Sequence, residues 1–189
     1  MKILLVNNHT RHLESLNESL AGHDVETQMY RPGIKFHYED KDLVILSGGG
    51  GEGLEIYDEF KPGKLWHEDQ MKFVLTCEKP IIGICMGFEV ICRAYGANIK
   101  KLDKIVKGFV NLKANDSGAG YLGKKRLKQF ESHEWYVPEV DSFCLDVLAE
   151  SNTGVELVKH KTRNMIATQF HPEKGGTVDL KQLISAVGV

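Results

Sequence analysis

Three short apolar runs without a single polar residue limit this chain to a small set of folds. They occupy residues 3–6, 43–46 and 81–84. Strands that are buried on both faces of a parallel sheet have this continuous pattern, whereas strands with one solvent-exposed face alternate apolar and polar residues. We therefore expect the three runs to form the centre of a parallel sheet with helices on both sides.

The segments between and after these runs have helix and strand patterns. The apolar residues of 13–20 recur at spacings of three and four, which places them on one face of a helix, and residues 180–187 repeat the pattern. Further helices are predicted to end near residue 77 and to occupy residues 87–95. Further strands are predicted at residues 24–29, 155–158 and 165–170.

Residues 105–156 differ from the rest of the chain. Their short alternating runs, separated by turns such as Asp116-Ser117-Gly118, are typical of antiparallel strands joined by long loops. A chain of 189 residues without a repeat or a clear linker is expected to form one domain, residues 1–189. The predicted fold is a three-layer α/β sandwich with a mostly parallel central sheet, flavodoxin-like, and an antiparallel extension.

Composition excludes several classes of function. The chain carries 24 Lys and Arg against 26 Asp and Glu, so no overall positive charge attracts nucleic acid. No segment approaches the roughly 18 apolar residues of a membrane helix, and the apolar start breaks off at Asn7, before a signal peptide would be complete. The four cysteines have neither disulfide nor metal-ligand spacing. We expect a cytoplasmic protein with free thiols, no metal and no cofactor.

A cysteine lies at the turn between the third apolar run and the helix that follows it. The segment Gly83-Ile84-Cys85-Met86-Gly87 has the form G-x-C-x-G, the cysteine counterpart of the nucleophile elbow of serine hydrolases. A side chain at either glycine would crowd the sharp turn that holds the nucleophile. The pattern predicts a nucleophilic Cys85 at the N-terminus of a helix.

A base for this thiol is predicted in Gln169-Phe170-His171-Pro172-Glu173, directly after an apolar strand. His171 would accept the thiol proton, and Glu173 would orient the imidazole, as the third member of a triad does. The oxyanion formed from an attacked amide needs backbone donors, which the N–H of Met86 and those of the glycine run, Gly49 and Gly50 among them, can supply. This combination predicts acyl transfer from an amide or ester.

At these residues the chain resembles the class I glutamine amidotransferases of the triad type. The resemblance extends from the first strand through residues 43–49 and 80–87 to residues 167–173, in the family's order and spacing. It implies that Cys85 is the nucleophile, His171 the general base and acid, and Glu173 its orienter. It also implies oxyanion donors at Gly49 and Met86, and release of ammonia from glutamine.

The sequence departs from the family where Phe88 and Glu89 replace a common His-Gln pair, whose Gln helps to bind glutamine. A carboxylate at Glu89 accepts hydrogen bonds but donates none unless it is protonated. Ser132 and His133 match the family's Ser-His segment, whose backbone contacts the α-carboxylate of glutamine. Both Glu89 and this segment are therefore expected to bind substrate.

Three interpretations stay open at this point. The first is a glutaminase that passes ammonia to a separate synthetase subunit; the glutaminase subunit of GMP synthase and the small subunit of anthranilate synthase are equally similar in general pattern. The second is a stand-alone γ-glutamyl hydrolase or peptidase, since G-x-C-x-G-F-E is similar to the pattern of that group. The third is a non-catalytic regulatory subunit of the same fold.

Overall fold

The computed structural model describes residues 1–49, 67–141 and 143–189, and within them strands and helices alternate over the first half of the chain. The strands are β1 (Lys2–Asn7), β2 (Asp24–Met29), β3 (Leu43–Leu46), β4 (Ile81–Ile84), β5 (Lys100–Ala114), β6 (Arg126–Tyr136), β7 (Leu145–Glu150), β8 (Val155–His160) and β9 (Met165–Thr168). The helices are α1 (Leu13–Ser19), α2 (Glu68–Thr76), α3 (Met86–Ala94), α4 (Asp116–Leu122) and α5 (Leu180–Ala186). A 3₁₀ turn covers Pro172–Lys174.

All these strands join one mixed sheet in the order β2-β1-β3-β4-β9-β8-β7-β5-β6. Strands β2, β1, β3, β4 and β9 are parallel to one another. The remaining neighbouring pairs, β9–β8, β8–β7, β7–β5 and β5–β6, are antiparallel. Strand β9 therefore belongs to both halves of the sheet. The prediction of a parallel sheet with an antiparallel extension is confirmed.

The central strands divide the apolar core into two layers. Ile3 and Leu5 face the layer that contains α1 and α5, whereas Leu4 and Val6 face the layer that contains α2 and α3. Residues 3–6 and 43–46 are fully buried because helices cover both faces of the sheet. This arrangement confirms the predicted three-layer sandwich.

The antiparallel half contains one helix that the sequence pattern did not predict. Helix α4 replaces the expected loop at Asp116–Leu122. Its first turn is closed by Asn115, whose side chain accepts a hydrogen bond of 2.7 Å from the N–H of Gly118. Gly118 lies against the carbonyl of Leu148 in β7, where a side chain would not fit. The glycine that resembled a turn signal is therefore a packing residue.

The four cysteines are free thiols, and Cys77 and Cys92 are fully buried. Among residues 1–49, 67–141 and 143–189, no helix is long and apolar enough to cross a membrane.

Candidate active site

The sheet brings two sequence-distant segments to the same edge. Strands β4 and β9 are parallel neighbours, with Ile84 opposite Thr168 in the register. The backbone N–H of Cys85 donates a 2.7 Å hydrogen bond to the carbonyl of Thr168 and so continues the pairing past the end of β4. The residues that follow each strand, Cys85 on one side and His171 on the other, consequently emerge side by side.

Cys85 has the strained backbone that its flanking glycines predict. Its φ of 51° and ψ of −105° lie in a region that non-glycine residues rarely adopt, and it is the N-cap of α3. A β-carbon on Gly83 would lie 2.6 Å from Cδ1 of Ile91, and one on Gly87 would collide with the carbonyl oxygen of Leu46. The turn thus needs glycine on both sides because helix α3 packs directly against β3 and β4.

His171 is buried and held by one carboxylate. Its Nδ1 lies 2.7 Å from Oε1 of Glu173, and both side chains are almost completely inaccessible to solvent. Its Nε2 has no hydrogen-bond partner among the described residues. A methyl group placed on Gly48 would contact Cε1 of the imidazole at 3.0 Å and Cβ of Cys85 at 3.4 Å. The cysteine and the imidazole therefore lie on either side of one small space.

Two backbone donors point toward the sulfur. Burial raises the pKa of the Cys85 thiol well above its usual value, and the negative charges of Glu89 and Glu173 add to this effect. Hydrogen bonds from the N–H groups of Met86 and Gly49 act in the opposite direction and lower this pKa. Burial thus disfavours the ionised sulfur, and two backbone donors lie beside it. Gly50, the third predicted donor, lies outside the described residues.

A cavity of ≈ 200 Å³ opens in front of these groups. Its walls include Cys85 and His171 together with the other predicted substrate residues, namely Gly49, Met86, Glu89, Ser132 and His133. The carbonyl oxygen of Ser132 lies 3.9 Å from Sγ of Cys85. The described candidates of the sequence analysis thus line one pocket, except Glu173, which contacts Nδ1 of His171 instead.

Glu89 has a specific partner that the sequence analysis missed. The side chain of Gln169 donates from Nε2 to Oε1 of Glu89 at 2.9 Å, and the same Nε2 lies 4.0 Å from the sulfur of Cys85. Both side chains are buried. Gln169 therefore ties the unusual carboxylate of α3 to the segment that carries His171. Its position immediately after β9, at the same sheet edge as Cys85, is the sequence feature that could have indicated this contact.

A second imidazole, that of His12, lies beside the candidate site although no sequence motif pointed to it. Its ring lies edge-on to that of His171, with 4.6 Å between the centroids, and it lines the cavity with Arg11. Burial and the neighbouring His171 lower the pKa of His12. Both residues follow β1, which ends at the same edge as β4 and β9, and that placement is the signal that points to them.

One further buried cluster contains ligand-type atoms. Glu131, His133 and Glu156 each place one such atom within 4.8 Å of the others. The Nε2 of His133 lies 3.1 Å from Oε2 of Glu131. This is an ordinary hydrogen-bond distance, whereas Oε1 of Glu131 and Oε2 of Glu156 have no partner among the described residues.

Comparison with known proteins identifies the family to which this chain is similar. The model of the family described as glutamine amidotransferase class-I matches residues 4–187. The glutamine-hydrolyzing GMP synthase subunit of Methanococcus maripaludis strain C6 is 31% identical over 181 residues, covering 93% of this chain and 89% of the relative. The same-named protein of Methanothermobacter thermautotrophicus is 28% identical over 177 residues, covering 90% and 88%.

Solved structures agree on the fold. A protein from Thermoplasma acidophilum, described as a GMP synthase subunit, superimposes with a TM-score of 0.79 at 22% identity, covering 99% of this chain and 94% of that one. A glutamine amidotransferase from Thermotoga maritima has a TM-score of 0.68 at 18% identity, covering 98% and 81%. With the family model matching almost the whole sequence, this chain belongs to the class-I glutamine amidotransferase family.

Proposed function

We propose that this chain hydrolyses the side-chain amide of glutamine to glutamate and ammonia through a thioester on Cys85. The observation that supports this most directly is the pairing at the sheet edge. His171 faces the small space beside Cys85 with an unpartnered Nε2 while its Nδ1 is held by Glu173. That is the arrangement of nucleophile, base and orienter that cysteine acyl transfer requires.

Activation of the thiol is coupled to attack on the amide. Because burial and two carboxylates keep the pKa of Cys85 high, little thiolate accumulates in the free enzyme. When the amide carbon approaches, Sγ bonds to it and the thiol proton moves to Nε2 of His171. The imidazolium that results is stabilised by Glu173, 2.7 Å from Nδ1.

The carbonyl oxygen becomes an oxyanion in this step. The N–H groups of Met86 and Gly49 already point toward the sulfur, so they lie where the oxygen of a bound amide would develop charge. Each such donor contributes roughly 3 kcal/mol to transition-state stabilisation in comparable enzymes. The imidazolium then returns its proton to the leaving nitrogen, which departs as ammonia and leaves a thioester.

Water completes the cycle. His171 removes a proton from water as the oxygen attacks the thioester carbon, and the sulfur leaves as the protonated thiol of Cys85 once the proton returns. The products are glutamate and ammonia. The carboxylate of Glu89 and the backbone of Ser132 and His133, which line the same cavity, would hold the α-ammonium and α-carboxylate of glutamine.

We infer that the ammonia serves a separate synthetase subunit in nucleotide biosynthesis. The relatives named as GMP synthase subunits match this chain over nine-tenths of its length, and their name describes them as glutamine-hydrolyzing. On this interpretation residues 1–189 form one amidotransferase domain, and the synthetase subunit is its partner. The comparisons favour this interpretation over a stand-alone γ-glutamyl hydrolase and over a non-catalytic subunit.

The experiment is a glutaminase assay of the purified chain, alone and mixed with the candidate synthetase subunit. We expect glutamate release to depend on Cys85, so that Cys85→Ala loses it while the matched control Cys144→Ala, at a half-buried thiol outside the cavity, keeps it. Glutaminase turnover by Cys85→Ala at the wild-type rate would refute the mechanism. Faster turnover of γ-glutamyl peptides than of glutamine, without any effect of the partner, would refute the synthetase role.

A further inference from the structure

Three buried ionisable side chains form one cluster, of which His133 lines the substrate cavity, and the chemistry above uses none of the three side chains. Glu131 and His133 are alternate residues on the buried face of β6, and Glu156 lies on β8. All three are at least 95% buried. Strand β6 is the last strand of the sheet order and is separated from β8 by β7 and β5, so the sheet must curl for these side chains to meet. The cluster therefore links the edge of the sheet to its middle.

Hydrogen bonds define where the protons of this cluster lie. The Nδ1 of His133 lies 2.7 Å from the carbonyl oxygen of Trp135, and a carbonyl only accepts, so Nδ1 carries a proton. The opposite nitrogen, Nε2, faces Oε2 of Glu131 at 3.1 Å, and a carboxylate also accepts. This contact needs a second proton between Nε2 and Oε2, so the contact between His133 and Glu131 depends on a bound proton.

Glu156 brings a second carboxylate to this pair. Its Oε1 accepts hydrogen bonds from the hydroxyls of Ser151 at 2.6 Å and Thr153 at 3.1 Å, whereas its Oε2 has no partner among the described residues. Oε1 of Glu131 is buried and unpartnered in the same way. Two buried carboxylates repel unless one is protonated, and a proton on Glu156 removes that repulsion.

The segment held by this cluster forms a wall of the active site. Ser132 lies between Glu131 and His133, and its carbonyl oxygen is 3.9 Å from the nucleophilic sulfur. The carbonyl oxygen of Phe130, the residue before Glu131, accepts a 2.8 Å hydrogen bond from the backbone N–H of His171. A displacement of β6 would therefore alter the substrate side of the cavity.

We propose that Glu131, His133 and Glu156 form a proton-dependent clamp that fixes β6 on β8 and so positions the Ser132–His133 backbone for glutamine binding. The clamp is a positioning device that acts through the backbone, and it rests on the proposed function. The clamp sets the affinity for glutamine rather than the rate at which bound glutamine is hydrolysed. Loss of its proton weakens binding.

Within the described part of the chain, the charged groups that act on Glu156 are the other two members of the clamp, Glu131 and His133. Burial and the charge of Glu131 raise the pKa of Glu156 to about 8, against the opposing effects of Ser151, His133 and Thr153. Burial lowers the pKa of His133, but its hydrogen bond to Glu131 and the charge of Glu156 outweigh this and leave it raised. Glu156 therefore holds its proton near neutral pH and loses it in alkaline solution.

The test measures the KM for glutamine from pH 7 to pH 9 in the wild-type chain and in Glu156→Gln, each with its partner subunit. If only the chain with a protonated Glu156 binds, a pKa of about 8 raises the wild-type KM about tenfold over this range. Gln has the shape of the protonated acid and cannot titrate, so Glu156→Gln should keep the neutral-pH KM and lose the alkaline rise. The α-amine of glutamine titrates equally in both assays and cancels from the comparison.

Two further variants separate positioning from general damage. Glu150→Gln removes an exposed carboxylate of β7 and should keep the full wild-type pH profile. Glu156→Ala removes the clamp and should raise KM at every pH while kcat changes less. Melting curves at each pH show that the variants are folded.

An equal rise of KM with pH in the wild-type chain and in Glu156→Gln would refute the proposed clamp. So would a melting temperature raised by Zn²⁺ or Mn²⁺ in the wild-type chain but not in Glu156→Gln, because that result would assign the cluster to a cation. Failure of the glutaminase mechanism is distinguishable, since it is judged by Cys85→Ala. Protection of Cys85 from alkylation by glutamine gives a second readout of how strongly glutamine occupies the site.

Discussion

Replacement of Gly87 by alanine should inactivate the enzyme more than it unfolds it. A β-carbon at this position would lie 2.8 Å from the carbonyl carbon of Leu46 and closer still to its oxygen. Optimal carbon contacts are about 3.5–4.0 Å, so α3 must move away from β3 by roughly 1 Å to accommodate the methyl group. Cys85 is the N-cap of this helix and has to move with it.

Two magnitudes follow from this displacement. Overpacking of a well-filled contact costs about 1–3 kcal/mol of unfolding free energy, which corresponds to a fall in melting temperature of roughly 2–12 °C for a chain of this size. A misplacement of about 1 Å between reacting groups costs roughly 100-fold in rate. We therefore expect a folded protein with about 1% of the wild-type glutaminase activity at a temperature well below its melting point.

The chain offers matched controls for this experiment. Gly118 also lies against a backbone carbonyl, that of Leu148, but outside the cavity, so Gly118→Ala should lose similar stability and keep its activity. Gly120 has open space around it and lies within α4, so Gly120→Ala should gain about 0.5–1 kcal/mol. Thermal melts monitored by circular dichroism and a glutamate-release assay give both quantities. Equal activity in Gly87→Ala and Gly118→Ala would refute the argument.

Four other perturbations have clear expected outcomes. Glu173→Gln should lower kcat by roughly 10²–10⁴-fold with little change in the KM for glutamine, because it removes the charge that orients and stabilises His171; an unchanged kcat would remove Glu173 from the triad. Alkylation of Cys85 by iodoacetamide, followed by mass spectrometry, should accelerate as the pH rises beyond 8 because its pKa is raised, and Cys92 should stay unmodified in the folded chain. The melting temperature should fall between pH 5 and pH 8, because folded Glu156, with a pKa of about 8, keeps a proton that the unfolded chain loses near its usual value of 4.5; Glu156→Gln should flatten this slope. Arg163→Ala should lose about 2–4 kcal/mol in urea titrations, because its guanidinium donates to the carbonyls of α2 and its C-cap and, at 2.7 Å, to a tyrosine hydroxyl; a loss below about 1 kcal/mol would contradict this.

The parallel half of the fold was predictable because its signals are local. Each central strand is a continuous apolar run, and each is buried on both faces, so residues 3–6, 43–46 and 81–84 contain the information for their own environment. The position of Cys85 followed from the glycines around it, which have no room for a side chain. The rule that parallel strands end at one edge then placed His171 beside it.

The antiparallel half was less predictable because its contacts depend on how the sheet curls. Glu131 and Glu156 are read from the sequence as ordinary polar residues of separate strands, and only the curl brings them together. His12 belongs to no sequence motif, and its contact with the ring of His171 depends on how the strand ends meet rather than on a local pattern. The role of Gly50 stays a prediction.

The bridge between Gln169 and Glu89 shows a third kind of limit. The sequence alone shows a carboxylate where the family commonly has an amide, and it suggests a changed substrate. In the structure the amide of Gln169 donates to that carboxylate at 2.9 Å, so the pocket retains a donor–acceptor pair at this place. A single substitution in a motif therefore says little until its partner is known.

The adjacency of β4 and β9 has a consequence for how such chains diversify. The backbone ladder between these strands sets the spacing of Cys85 and His171, with Ile84 opposite Thr168, whatever lies between them in sequence. The length of the segment that joins the two strands therefore does not set this spacing, although parts of that segment line the cavity. Selection can alter its remaining loops for new protein partners while the two reacting groups stay in register.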